Sequence, residues 1–282
     1  MQPKILTSNH SALAEGPLWH GEKGLVYWVD ILTGTLFWFN PATRQTESRI
    51  LGGQIGGFTI QENGDLLLFR DRGAIELHDG QEITVLFPEM PEERETRFND
   101  VSADPEGRVF CGTMPTPDRK GRLYRLDPDR SIRIVLEDIG CSNGMGWSPD
   151  RQTMYHTDST EATIYSWDYD RPTGELSNRR VFYHHTSDGV PDGMTVDSYG
   201  CVWAAIWGGS CLIHLDPAGM EIERIAMPAK NVTCPTFGGP EYHQLYVTTA
   251  SGDEENAPDG AGELILLEGA VRGVPEFRSR IG

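Results

Sequence analysis

A short apolar run recurs six times along the chain, and this recurrence constrains the fold more than any other feature. The runs are Val26-Tyr27-Trp28-Val29, Leu66-Leu67-Leu68-Phe69, Val109-Phe110-Cys111-Gly112, Met154-Tyr155-His156-Thr157, Val202-Trp203-Ala204-Ala205 and Leu245-Tyr246-Val247-Thr248. Their first residues lie 40, 43, 45, 48 and 43 positions apart. Within a unit, a Gly-containing turn leads to a second alternating run, such as Gly121-Arg122-Leu123-Tyr124-Arg125-Leu126-Asp127. A third, more polar run follows, such as Ile132-Arg133-Ile134-Val135-Leu136. A period of two, β-branched and aromatic residues, and Gly, Pro, Asn and Asp at the boundaries are the marks of strands. The 32 Gly and 18 Pro supply the turns such a chain needs.

Units of about 40–45 residues with four strands each indicate a β-propeller. The chain is therefore expected to be all-β: a six-bladed β-propeller with four-stranded antiparallel blades around a central channel, one domain over residues 1–282. A propeller must close its ring, because an open edge strand pairs with other chains. Residues near Ile5 and Leu6 are expected to lend a strand to the last unit, around Gly262-Glu263-Leu264-Ile265-Leu266-Leu267. The polar stretch 251–260 reads as the most flexible loop.

Charge and cysteine usage narrow the function. The net charge of −18 repels nucleic-acid phosphates, and no Lys/Arg run offsets it. The five cysteines are odd in number and lack a CxxC pair, which argues against a disulfide framework and a thiolate zinc site. Free thiols fit a reducing compartment. The start, Met1-Gln2-Pro3-Lys4-Ile5-Leu6, lacks the apolar core of a signal peptide. No apolar run approaches a membrane span. The expectation is a soluble cytoplasmic protein with neither nucleic-acid nor membrane partners.

Four polar residues share one place in the repeat. Glu15 precedes Val26 by 11 residues, Asn99 precedes Val109 by 10, Asn143 precedes Met154 by 11 and Asp192 precedes Val202 by 10. In a propeller the first strand of each blade lines the channel, so equal register means a similar height around one axis. The matching positions of units two and six, Ile55-Gly56 and Cys234-Pro235, are small or apolar. Converging Glu, Asp and Asn make an all-oxygen site suited to Ca²⁺, Mg²⁺ or Mn²⁺, and with lower preference Zn²⁺. Three or four protein ligands leave positions for water and substrate, as a catalytic metal requires. Arg97 lies two residues before Asn99, and alternate strand residues share a face. Its fork is therefore expected near the cavity mouth, ready for hydroxyls or a carboxylate. Asp100 and Asp158 read as turn residues bonded to backbone, and Cys141 reads as packing. No HExxH, GxSxG or phosphate-binding loop occurs.

With these residues assembled, the chain resembles the gluconolactonase/regucalcin (senescence marker protein) family, which includes the luciferin-regenerating enzymes. The resemblance runs through Glu15-Gly16-Pro17, Arg97-Phe98-Asn99-Asp100, Gly112-Thr113-Met114, Ser142-Asn143-Gly144, Pro191-Asp192-Gly193-Met194 and Phe237-Gly238-Gly239. It implies a six-bladed propeller with one divalent cation in the channel and hydrolysis of a sugar lactone to the aldonic acid. By the same resemblance, Glu15, Asn143 and Asp192 would hold the metal, Asp192 would double as general base, and Arg97 and Asn99 would bind the sugar. One departure stands out. Some relatives carry a longer loop after Gly112-Thr113-Met114, with a glutamate that touches substrate. Here the connection is Pro115-Thr116-Pro117-Asp118-Arg119-Lys120-Gly121. Asp118 or Arg119 would contribute instead, and the Arg119-Lys120 pair would suit an acidic substituent on the sugar. The lactone stays open, as does the choice among Ca²⁺, Zn²⁺, Mn²⁺ and Mg²⁺. Two other readings compete: a hydrolase of other esters or organophosphates, and a propeller that binds a metal or metabolite without catalysis.

Overall fold

The computed structural model describes residues 1–252, 257–269 and 271–282. Residues 253–256 of the expected flexible loop lie outside the described residues. Six four-stranded antiparallel sheets follow one another along the chain. We call them blades 1 to 6 in chain order. Their innermost strands are Ala14–His20, Ile55–Ile60, Phe98–Ala103, Ser142–Trp147, Val190–Val196 and Asn231–Gly238. Blade 6 takes its outermost strand from the N-terminus: Pro3–Ile5 pairs with Leu264–Glu268, with Pro3 opposite Leu267 and Ile5 opposite Ile265. The ring is thus closed by main-chain hydrogen bonds between the two ends of the chain, as expected.

The apolar runs are continuous rather than alternating because their strands are buried on both faces. In Leu25–Asp30 of blade 1, Tyr27 and Val29 pack toward blade 2, while Val26 and Trp28 pack toward blade 6. In Val202–Trp207 of blade 5, Trp203 and Ala205 face blade 6, while Val202, Ala204 and Ile206 face blade 4. The core is accordingly a ring of six apolar clusters, one between each pair of neighbouring blades. Outermost strands such as Gln45–Ile50 and Glu221–Ala226 are mostly exposed, which explains why the last run of each unit is polar.

All six innermost strands break register with their neighbours at the same level. The irregularities fall at Glu15/Leu18, Ile55/Gly57, Phe98/Val101, Asn143/Met145, Pro191/Met194 and Val232/Cys234. A bulge adds a residue and re-aims its side chain. Here it lets consecutive residues both approach the axis. Space is tight at this level. A Cβ on Gly144 would lie 2.5 Å from the Asp192 carbonyl oxygen, and one on Gly193 would lie 2.4 Å from Cys234 Sγ. Those glycines let neighbouring inner strands close upon the axis.

The C-terminal residues 271–282 cross the far face of the ring. Gly273 bridges to Asp197 in blade 5, and Ser279 bridges to Gln61 in blade 2. Phe277 packs edge-on against Trp147 in blade 4, and Ile281 joins the cluster between blades 2 and 3. Among the described residues no helix is long and apolar enough to cross a membrane.

Candidate active site

Glu15, Arg97, Asn99, Asn143 and Asp192 line one cavity of about 220 Å³ at one mouth of the channel. Leu13, Ile31, Met114, Val190 and Trp207 form apolar walls around them. Each polar residue but Arg97 stands at the bulge of an inner strand, in blades 1, 3, 4 and 5, and each is at most 6% exposed. Asp118 does not line this cavity; it is exposed on the connection between two strands of blade 3.

The site is a hydrogen-bonded amide pair set beside two bare carboxylates. Arg97 Nη1 donates to Asn99 Oδ1 at 2.6 Å and to the Phe98 carbonyl at 2.8 Å. Asn99 Nδ2 donates to Asn143 Oδ1 at 2.5 Å and to the Ser142 carbonyl at 2.9 Å. Among the described residues, Glu15 accepts only the neighbouring Gly16 N–H at 3.0 Å, and Asp192 accepts no hydrogen bond. Burial pushes the Glu15 carboxyl well up, and the charges of Asp192 and Asp100 add to the shift. Burial also pushes Asp192 well up, again with Asp100 adding and Arg97 opposing. Two buried carboxylates without a matching cation are costly. A hard dication placed between them would remove that cost, and the donor set of two carboxylates and an amide oxygen fits one.

Asp100 departs from the expected turn role. Asp158 does bond backbone, accepting from Gly140 N, Cys141 N and Thr160 N. Asp100 accepts no hydrogen bond from a described residue. The bulge between Phe98 and Val101 breaks the alternation of sides. It directs Asn99 to the upper cavity and Asp100 to a separate chamber of about 40 Å³ below, lined also by Met145, Met194, Cys234 and Glu276. Asp100 occupies the place that blades 1, 4 and 5 give to Gly16, Gly144 and Gly193. Its carboxyl is pushed up to about 7 by burial.

Two further expectations change. Cys141 packs, with Sγ 3.6 Å from Met114 Sδ, but it also lines the cavity. Burial pushes its thiol up to about 12, so it remains a thiol at neutral pH. Arg119 does not offer its charge to a ligand. Its guanidinium donates to the Glu93 carboxylate, the Glu92 carbonyl and the Lys120 carbonyl. Glu93 is fully buried and also accepts from Tyr124 Oη at 2.5 Å. That network pins the 115–121 connection away from the pocket.

The sequence reading missed Trp207, Ser159 and Asp100 as site residues. Trp207 stood in plain view as an aromatic immediately before Gly208-Gly209 at a strand end. A second acid–thiol–imidazole cluster, Asp197, Cys201 and His214, lies in blade 5 away from this cavity. Its Asp197 carboxylate already accepts from Tyr199 N, Cys201 N and Trp203 Nε1 and lies 3.3 Å from His214 Nε2. Asp104 does the equivalent work in blade 3, accepting from Glu106 N, Arg108 N and Tyr169 Oη. We read the blade 5 cluster as a turn lock.

Comparison with known proteins agrees with this geometry. A family model described as SMP-30/Gluconolactonase/LRE-like region matches residues 13–251. Pentonolactonase XacC of Haloferax volcanii is 43% identical over 280 residues, 95% of each chain. The putative sugar lactone lactonase YvrE of Bacillus subtilis is 35% identical, over 89% of this chain and 88% of that one. Among solved structures, a calcium-binding protein, regucalcin, from Agrobacterium tumefaciens superposes with a TM-score of 0.92 at 25% identity, covering 99% and 98% of the two chains.

Proposed function

This chain belongs to the SMP-30/gluconolactonase/LRE-like family, and from that premise we propose that it hydrolyses a sugar lactone to the aldonic acid with the help of one divalent cation. The observation that carries the proposal is the pair of buried carboxylates, Glu15 and Asp192, facing one cavity with the Asn143 amide and, among the described residues, no countercharge but Arg97. A dication held by Glu15, Asn143 and Asp192 would supply Lewis acidity at the lactone carbonyl, acidify water and keep both carboxylates ionised.

The chain's own groups do the rest. Asp192 has no hydrogen-bond donor among the described residues, so its carboxylate is free to take the proton of the attacking water. Arg97 spends one nitrogen on Asn99 and Phe98. Its remaining N–H groups are donors for sugar hydroxyls. Both Asn99 amide protons are engaged with Ser142 and Asn143, so Asn99 meets the sugar as an acceptor through Oδ1. Trp207, Val190 and Met114 cover the C–H faces of the ring and exclude water. A pentonolactone is the first substrate to try, given the 43% identity to a protein of that name. Five cysteines without a disulfide support a reducing, cytoplasmic setting.

The test is acid release in weak buffer. Chelator-stripped protein is given a panel of pentono- and hexonolactones, then Ca²⁺, Mg²⁺, Mn²⁺ or Zn²⁺ in turn. Turnover restored by a cation supports the proposal. Cation binding without turnover on any lactone would favour a binding protein, and turnover only on other esters would move the substrate class.

A further inference from the structure

A directional chain of hydrogen bonds crosses three blades through the site. Arg97 Nη1 donates to Asn99 Oδ1 at 2.6 Å, and Asn99 Nδ2 donates to Asn143 Oδ1 at 2.5 Å. Asn143 Nδ2 then donates to Ser159 Oγ at 2.7 Å, and Ser159 Oγ donates to the Pro191 carbonyl at 2.6 Å. The two ends of this chain have fixed polarity. A guanidinium only donates, and a carbonyl only accepts. Every link between them must therefore point the same way.

That matters because an amide has the same shape either way round, while only its oxygen can bind a cation. If the Asn143 amide turned over, its NH₂ would face the NH₂ of Asn99, donor against donor. Its oxygen would face Ser159, whose proton is committed to Pro191. Rotating that hydroxyl toward Asn143 would leave the Pro191 carbonyl without its donor. Ser159 and Asn143 are 7% and 6% exposed, so bulk water does not readily replace the lost partner.

We propose that Ser159 is a positioning residue: its hydroxyl holds the Asn143 amide with the oxygen turned to the cation and ties this ligand to the backbone just ahead of Asp192. The inference rests on Asn143 and Asp192 being cation ligands. Ser159 thus couples two ligands from adjacent blades without touching the cation itself. Partners of this kind typically change metal affinity by about 10–100-fold when removed.

The test titrates Mn²⁺ alone into the chelator-stripped full-length chain by calorimetry. Ser159→Ala is expected to weaken Mn²⁺ binding by about 10–100-fold, while the metal-free protein still folds, its melting temperature lowered by a few degrees for the two buried partners left unpaired. Ser159→Thr keeps the hydroxyl and should keep most of the affinity. If Ser159→Ala does not fold, Ser159→Cys, with a weak hydrogen-bonding thiol, takes its place. Parental Mn²⁺ affinity in the Ala or Cys variant overturns the inference. So does a Thr variant as weak as Ala at an unchanged melting temperature, because packing would then be the cause. Asn143→Ala separates the two levels. If it binds Mn²⁺ like the parent, the ligand reading itself fails. If it loses Mn²⁺ while Ser159→Ala does not, only the positioning role fails.

Discussion

Asp100→Asn should make the metal-free protein more heat-stable, and more so at high pH than at low. Burial raises the Asp100 carboxyl from 3.8 to about 7, with the Arg97 charge opposing. The unfolded chain ionises this group near 3.8 and the folded chain only near 7, so its protonated form favours folding. That contribution is whole below about pH 4 and is lost as the pH climbs through 7. At about 1.36 kcal/mol per pKa unit, the folded state forfeits about 2 kcal/mol by pH 5 and about 4 kcal/mol by pH 8. Asparagine keeps the shape without a charge to desolvate. An unpartnered amide has its own cost, but that cost is the same at both pH values. The difference between the two therefore reports the Asp100 charge together with its repulsion of Glu15 and Asp192, and it should be about 2–3 kcal/mol. With an unfolding entropy of about 2.1 cal/mol/K per residue over 282 residues, that is about 4 °C in melting temperature. The assay is thermal melting of chelator-treated parent and variant at the two pH values. A melting-temperature difference between variant and parent that is the same at both would refute the reasoning, since a charge buried at a cost must show its pH dependence.

The remaining predictions concern the site and its frame. Asp192→Asn should keep part of the metal affinity and lose most of the lactone turnover; wild-type-like turnover would remove Asp192 from the role of base. Because burial raises both Glu15 and Asp192, cation binding should expel protons at any pH where the free protein still holds them on these carboxyls. Affinity should then rise with pH and level off once both groups are ionised in the free protein. Calorimetry in buffers of different ionisation enthalpy counts those protons directly, and a count near zero would mean the carboxylates are already ionised. Glu93→Ala would leave Arg119, Arg122 and Tyr124 without their buried acceptor and should cost about 3–5 kcal/mol in urea unfolding.

Fold and site were not equally legible in the sequence. Runs such as Val26-Tyr27-Trp28-Val29 betray strands buried on both faces, and their spacing counts the blades. Glu15, Asn99, Asn143 and Asp192 announce themselves by equal register, because a ring converts register into height. Asp100 could not be read in this way. Alternation assigns it to the face opposite Asn99, toward a neighbouring blade, whereas the bulge at Phe98/Val101 sends it down the axis, and bulges leave no mark in a period-two pattern. Arg119 misled for another reason. Its partner Glu93 sits in the short turn Pro91–Glu93, distant in sequence, and only the packed structure shows that its charge is already spent. Ser159 was hidden because a serine beside Asp158 in a tight turn looks like any other turn residue.

The C-terminal crossing has a consequence for traffic through the molecule. The chamber below the ligand layer shares no lining residue with the cavity above it, and it ends against Glu276, which accepts from Thr195 Oγ1 at 2.8 Å. Among the described residues, the space on the axis between the ligand layer and the C-terminal crossing is thus lined apart from the cavity that would take substrate. A lactone and the acid it opens to would share the one cavity walled by Trp207 and Met114, so a new lactone binds only once the opened acid has gone. An acid carrying its fresh carboxylate beside Arg97 would compete with the next lactone for that guanidinium, so accumulating product should raise the apparent KM.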